Sequence, residues 1–448
     1  MGRGTIRLCM SSQPTLRREL GLRDLTLFAI ACIVGVRAIP MAAHAGPGSV
    51  TLWLLSAIFF TAPLAVAVAA LCAKYPGAGG LYLWTRGDFG PWHGFLCFWI
   101  YWIGIAFWFP SAAMFYMSIG VYSLGPSYAH LADNRAFLIG ASLAAIWIAL
   151  GTNLVGMKIG KWTENAGGAA TWLLGIFYVS LAILVFRRQG SATTLHLLPK
   201  WNWDTANYWA AIAYAMTGLE MAGLMGAEIR DPERTLPRAG WIASGFATVF
   251  YAGMTTALLV LMAPERINDM NGFAQGAETA SAALGAHWLA PLIAIIVLIT
   301  GIGQFGGLGS SVSRLPFAAG ADKLLPAAFA RVHPRWHTPY ISILTLGVVA
   351  SFLLVVIQLG DTARAAYQAL YSLMVIGGFI PYIYIFGSAW KANCRISALC
   401  GWAVTALALV CSVAPTAEVH NAWLFELKLA LGTAGMVGSA WLVYRARP

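Results

Sequence analysis

Asn202 to Ala239 reads NWDTANYWAAIAYAMTGLEMAGLMGAEIRDPERTLPRA. An apolar helix runs from about Thr205 towards Gly226, and in its middle sits Thr217-Gly218-Leu219-Glu220-Met221-Ala222-Gly223. Glycine is entropically weak in a helix. A carboxylate at mid-membrane depth is costly unless it faces a cavity or a partner. Where a spanning helix breaks, its freed N–H and C=O groups need partners, so the break must line a protein-enclosed site. Gly218 to Gly223 therefore reads as half of a substrate site. The plainer alternative is close helix packing through small residues, with Glu220 paired to a cation. After it, Glu228-Ile229-Arg230-Asp231-Pro232-Glu233-Arg234 reads as a charged, Pro-stopped exit turn.

The composition fits a membrane-embedded chain. Hydrophobic residues make up 59% of the 448 and charged residues 10%, against about 25% charged in a soluble domain. Long apolar runs rather than alternating strands exclude a β-barrel. The formal charge of +11 does not point to nucleic acid, because the basic residues gather in short loops on one side. The seven cysteines, Cys9, Cys32, Cys72, Cys97, Cys394, Cys400 and Cys411, form no CxxC and no framework for disulfides or metal. The scattered histidines argue against a metal cluster, and no GxSxG, Walker or HExxH motif is present, so neither an enzyme nor a cofactor is expected. The basic start and the apolar Leu25–Val36 only loosely imitate a signal peptide, since Arg37 interrupts the run.

Hydropathy places spans at about 24–45, 49–73, 92–123, 136–156, 163–186, 205–228, 239–263, 288–319, 340–359, 364–389, 396–414 and 421–444. Threading the chain from an inside N-terminus puts twenty Lys and Arg on the inner side and six on the outer. By the positive-inside rule both termini are then cytoplasmic in the cell (inner or plasma) membrane. Two inner-loop features stand out: an amphipathic Leu81–Phe89, and Ala321–Arg335, which reads as a short surface helix.

A second interrupted span decides the architecture. Span 1 holds Ile33-Val34-Gly35-Val36-Arg37-Ala38-Ile39-Pro40, with glycine, proline and a charge at mid-depth. Spans 1 and 6 lie five apart and cross in opposite senses, the pattern of a five-plus-five inverted repeat around a midplane site. The fold expected is an all-α membrane protein of twelve transmembrane helices with broken helices 1 and 6 and two accessory helices. The boundaries are 1–23 for the N-terminal segment, 24–186 and 187–389 for the repeats, and 390–448 for the accessory pair.

At such a break, free amides take a carboxylate and free carbonyls an ammonium. Gly35, Val36, Arg37 and Ala38 face Thr217, Gly218, Leu219, Glu220 and Met221 in this reading, with Tyr214 as a lid and Gln304 reaching in from the Gly-rich Thr300–Ser311. Those glycines argue first for close packing. Arg37 has two readings: a fork for a substrate carboxylate, or a counter-ion for Glu220. Glu220 reads as a proton carrier, an amine ligand or a fixed counter-ion. His44, seven residues after Arg37, reads as an outer-vestibule or packing residue ahead of a proton relay. Glu228, Arg230, Asp231 and Arg234 read as an inner gate, or a solvated turn. H⁺ is the favoured coupling ion. Ser310 or Ser311 would be needed for Na⁺, and no carboxylate stands beside them.

Three segments resemble the amino acid–polyamine–organocation transporter superfamily: Tyr75-Pro76-Gly77-Ala78-Gly79-Gly80-Leu81-Tyr82-Leu83-Trp84, then Gly218-Leu219-Glu220 with Gly226 to Ala239, then Ser313-Arg314 through Asp322, Leu325-Pro326, His333 and Thr338-Pro339. The resemblance spans roughly residues 20–390. It implies alternating access and an amino acid or amine bound between spans 1 and 6, its carboxylate on unwound backbone of span 1. Gly35-Val36-Arg37-Ala38 departs from the small-residue triplet usual there. The expected function is a permease, antiporter or symporter, for an amino acid or related amine in the lipid bilayer. The alternatives are an ion-coupled organic-acid symporter and, third, a membrane protein without transport.

Overall fold

Two helices that stop in mid-bilayer and restart set the architecture. The computed structural model describes residues 21–75, 79–155, 157–196, 198–199, 203–224, 229–336, 338–359, 362–415 and 419–447. The first interrupted pair is α1 (Leu22–Ile33) and α2 (Ala38–His44). After it come α3 (Ser49–Lys74), α4 (Gly80–Phe89), α5 (Pro91–Gly120), α6 (Arg135–Val155) and α7 (Met157–Gln189). The second interrupted pair is α8 (Trp203–Ala215) and α9 (Leu219–Leu224). The chain continues through α10 (Pro232–Leu261), α11 (Gly272–Leu284), α12 (Leu289–Val312), α13 (Arg314–Ala321), α14 (Tyr340–Ile357), α15 (Ala363–Lys391), α16 (Arg395–Cys411) and α17 (Ala422–Arg445). No described residue belongs to a β-strand. Nine helices among the described residues are long and apolar enough to cross a membrane, and α16 is a shorter apolar helix.

Leu27, Ile148, Ile176, Val249, Phe352 and Leu431 are exposed on outer helix faces, where lipid, as apolar as the side chains themselves, takes the place of a protein core. The interior is built by close approach. A Cβ on Gly167 in α7 would lie 2.4 Å from the Cα of Gly303 in α12, and one on Gly104 in α5 would lie 2.8 Å from the carbonyl carbon of Gly377 in α15. Backbones come this near only where both sides lack a side chain, which is how small residues join helices without a hydrophobic driving force. The Gly-rich stretch of α12 thus packs as its spacing suggests. α1 and α2 lie along α10, α2 also meets α8, and α1 meets α9, so the two interruptions come together against α10.

Several boundaries differ from the sequence reading. The second break is residues 216–218, not Gly218–Gly223. Gly218 alone of the two glycines adopts positive φ, at +115°. Gly223 stays helical because it seats the Trp84 ring, 2.7 Å from where a Cβ would sit. The first break is residues 34–37, with Ala38 already in α2. Pro232 opens α10 rather than stopping an exit turn, because its missing N–H is one a first helical turn leaves unpaired anyway. Ala321–Arg335 is not a surface helix: α13 ends at its first residue and only a 3-10 turn, Ala327–Ala330, follows. The helix α11 between the seventh and eighth hydropathy spans was not expected, being too short and too mixed for a hydropathy window.

Candidate functional site

A cavity opens where the two breaks meet, with about 700 Å³ of empty space, open solvent included. Gly35, Arg37 and Ala38 line it from the first break, and Thr217, Gly218, Glu220 and Met221 from the second. Tyr214 and Gln304 reach it as well. Val36 and Leu219 do not. Val36 is wholly buried, and the Leu219 side chain lines a separate small void between α1, α3 and α10. Alternate residues of a short unwound stretch point opposite ways, so Val36 turns into the protein between Gly35 and Arg37.

Arg37 and Glu220, the two charges at mid-depth, do not pair with each other. Glu220 is buried and accepts from the Tyr101 hydroxyl at 2.7 Å on Oε1 and from the Gly218 amide at 3.0 Å on Oε2. Its carboxylate thus satisfies an amide left free by the break and sits in the first turn of α9, where negative charge is favoured. Tyr101 comes from α5, an element with no sequence proximity to either break. Arg37 is 6% exposed. Its guanidinium lies 5.2 Å from the Trp108 ring and 5.1 Å from the Tyr371 ring, and it donates to the Trp108 carbonyl at 3.3 Å. No carboxylate among the described residues forms an ion pair with it. The counter-ion reading of the Arg37–Glu220 pair is therefore replaced by two separately held charges on one cavity wall.

Sequence reasoning missed the residue that ties the breaks together. The Tyr251 hydroxyl, from α10, accepts from the Gly35 amide at 2.8 Å and donates to the Ile33 carbonyl at 2.7 Å, with the Ala215 carbonyl at 3.3 Å. Its ring stacks on Trp53 at 4.3 Å. Gln304 adds a bond from Nε2 to the Val34 carbonyl at 2.8 Å, and the Thr61 hydroxyl donates to the Met216 carbonyl at 3.2 Å. These side chains replace the partners that continuous helix would have supplied. Removing the Tyr251 hydroxyl leaves buried backbone groups unpaired at about 1–3 kcal/mol. Tyr251→Phe, which keeps the ring stack, is expected to lower the thermal unfolding temperature and weaken ligand binding together. An unchanged melting curve would show that the break does not depend on it.

A family model described as "Amino acid permease" matches residues 20–415. The chain belongs to the amino acid permease family. The permease is similar to an uncharacterized transporter of Legionella pneumophila (lpg1691), 24% identical over 380 residues that cover 84% of this chain and 81% of that one. The serine/threonine exchanger SteT of Bacillus subtilis is 24% identical over 382 residues, 82% of this chain and 83% of its own. Among solved structures, MhsT in complex with L-phenylalanine superposes with a TM-score of 0.57 over 94% of the permease and 98% of MhsT, at 15% identity, a likeness of fold alone.

The expected inner-gate residues are only partly described. Glu228 lies outside the described residues. Arg230, Asp231 and Arg234 are exposed, and Asp231 adopts φ +46° ahead of α10. At that same basic end the permease carries other polar ties. Lys74 pairs with Asp88 at 2.7 Å, Tyr75 donates to the same oxygen at 2.8 Å, and Lys391 donates to the Asp88 carbonyl at 2.6 Å. Arg86 of α4 reaches Asp322 at 3.4 Å. The signal available in sequence was the scarcity of acids: Asp88 and Asp322 are two of only 17 Asp and Glu. Ser311 donates to the Gly307 carbonyl of its own helix at 2.9 Å, and the Ser310 side chain lies outside the described ones.

Proposed function

We propose that this chain is a secondary active transporter that carries an amino acid across the cell membrane by alternating access. The nine long helices, α16 and the two interrupted pairs are in this reading counted as twelve crossings. In this reading spans 1–5 (24–186) and 6–10 (187–389) are the inverted repeats, residues 390–448 are accessory, and both termini face the cytoplasm.

One observation carries the reading: Arg37 is a buried cation on a cavity wall with no ion-paired carboxylate among the described residues. Such a charge is costly to leave uncompensated, and a substrate carboxylate matches its planar fork in bidentate fashion. Glu220 on the same wall supplies the complementary end for an ammonium, so an α-amino acid satisfies both. The name of the B. subtilis relative, an exchanger of serine and threonine, supports that substrate class. Protons are kept ahead of Na⁺ as the coupling ion, because the Ser311 hydroxyl is engaged within its own helix.

Purified protein in liposomes is expected to exchange or accumulate at least one labelled amino acid from a panel of neutral, acidic and basic ones. Glu220→Gln keeps an acceptor for Tyr101 but removes the charge, so affinity for that amino acid is expected to fall about tenfold, a modest share of what a buried charge-assisted bond provides. If carboxylates without an amine compete as well as amino acids do, the substrate is an organic acid. Neither flux nor binding across the panel would remove the substrate assignment.

A further inference from the structure

We infer that His44 and Asp269 form a proton-operated latch that closes the cavity on the face opposite the basic loops. The latch rests on the transporter reading for its direction, since that reading makes this face the outer one.

His44 ends α2, the far half of the first interrupted helix, and its Nδ1 lies 3.0 Å from Asp269 Oδ1. Asp269 sits in the connection before α11 and is 2% exposed. Its other oxygen accepts from the Tyr208 hydroxyl at 3.0 Å, and Gln368 Nε2 donates to it too. Tyr208 belongs to α8, the far half of the second interrupted helix, and its ring stacks on His44 at 4.9 Å. Gln368 belongs to α15 and is fully buried. One carboxylate therefore gathers partners from both interrupted helices and from α15. On α15, Tyr371 stands one turn beyond Gln368 and carries the cation–π contact to Arg37. Any outward opening that parts α2 and α8 from α15 must strip Asp269 of donors it holds while buried.

The proton enters through His44, whose side chain is 18% exposed against 3% for Asp269. An ionised carboxylate only accepts hydrogen bonds, so Nδ1 carries the hydrogen that faces it and Nε2 is the site that gains a proton from solution. No other bond changes. Binding turns a neutral hydrogen bond into a buried ion pair and so tightens the latch. Histidine is the side chain whose ordinary charge change falls between about pH 5 and 8. The elements packed against α2 carry other ionisable groups: Tyr214 on α8, Tyr251 on α10 with Arg234 and Arg238 in its first turns, Glu265 and Arg266 in the 3-10 turn before Ile267, and Glu278 on α11, while the side chains of Asp204 and Glu233 lie outside the described ones. Glu265 and Arg266 are exposed, and burial raises the Glu278 carboxyl above its ordinary value. Tyr367 on α15 adds a buried hydroxyl with no hydrogen-bond partner among the described residues.

Two measurements test the latch. In proteoliposomes, uptake of the panel substrate from outside is expected to fall roughly fivefold or more between pH 8 and pH 5.5 for the wild type, the lower end of ordinary coupling between sites. His44→Gln keeps an amide donor without the titration, and is expected to lose that fall, keeping only the pH dependence that proton coupling itself imposes. A His44→Gln profile that falls like the wild type overturns the latch. Thermal unfolding of the purified protein gives a second readout that needs no substrate. Histidine held beside a carboxylate stabilises the fold below its unfolded pKa and ceases to as pH rises through the folded one. The wild type is therefore expected to gain melting temperature over His44→Gln at pH 5.5 and to lose that gain at pH 8. A difference that does not change with pH overturns the latch. A gain at pH 5.5 without flux at any pH keeps the latch and removes the transporter reading instead.

Discussion

Arg37→Ala is expected to weaken amino acid binding by about two orders of magnitude and to abolish transport. The guanidinium lies between the Trp108 and Tyr371 rings, so its position is held before any ligand arrives. Losing one partner of a buried, hydrogen-bonded charge pair costs about 2–5 kcal/mol, and each 1.4 kcal/mol is about tenfold in Kd. The apo protein is expected to respond the other way. With no ion-paired carboxylate among the described residues to compensate it, Arg37 costs desolvation, so the Ala variant unfolds at the same temperature as the wild type or above it. Arg37→Lys separates charge from geometry: a point charge on a flexible stem keeps the sign but loses the fork and the stacking. About tenfold weaker binding is expected for Lys, well short of the Ala loss. Isothermal titration with the panel amino acid checks all three. Equal affinity in wild type and Arg37→Ala would remove Arg37 from the site.

The second large effect concerns Gly218. Its φ of +115° lies where side-chain-bearing residues are strained, and a Cβ there would sit 3.0 Å from the Cys32 carbonyl oxygen. The contact is backbone against backbone between the two interrupted helices, so neither side gives way cheaply. Backbone strain of this kind costs about 1–3 kcal/mol, and a β-branched side chain adds the clash. Gly218→Val is expected to melt well below the wild type or fail to accumulate, and any folded fraction is expected not to bind. Gly285, at φ +68° with nothing within 4 Å of its Cβ position, is the matched control. Gly285→Asn is expected to leave melting and binding unchanged, because asparagine tolerates the left-handed region. A Gly218→Val protein that melts and binds like the wild type would show that the break needs no glycine.

The helices were legible because their apolar runs have nothing else to become in a bilayer. The two interruptions were legible because glycine beside a charge at mid-depth is expensive without a site. What the sequence did not show was facing. Arg37 and Glu220 are the obvious pair by depth and sign, yet Glu220 finds Tyr101 on α5 and the nearby Gly218 amide instead. Linear spacing sets depth along a helix but not which neighbour rotates towards it. Gly218 and Gly223 look alike in sequence. One carries the break and the other seats the Trp84 ring, a difference made by tertiary packing. Tyr251 carried no signal at all, as one of 16 tyrosines inside an apolar run. Asp269 carried a faint one: Asn268-Asp269-Met270-Asn271 is a polar cluster in a connection too short to be exposed throughout, and all four are buried.

The most direct measurement is an experimental structure of the protein with the amino acid that a thermal-shift screen selects. The ligand is predicted to lie between residues 34–37 and 216–218, its carboxylate within bidentate reach of Arg37 and its ammonium towards Glu220. Density for that ligand anywhere else, with the cavity between the interrupted helices empty, would contradict the account.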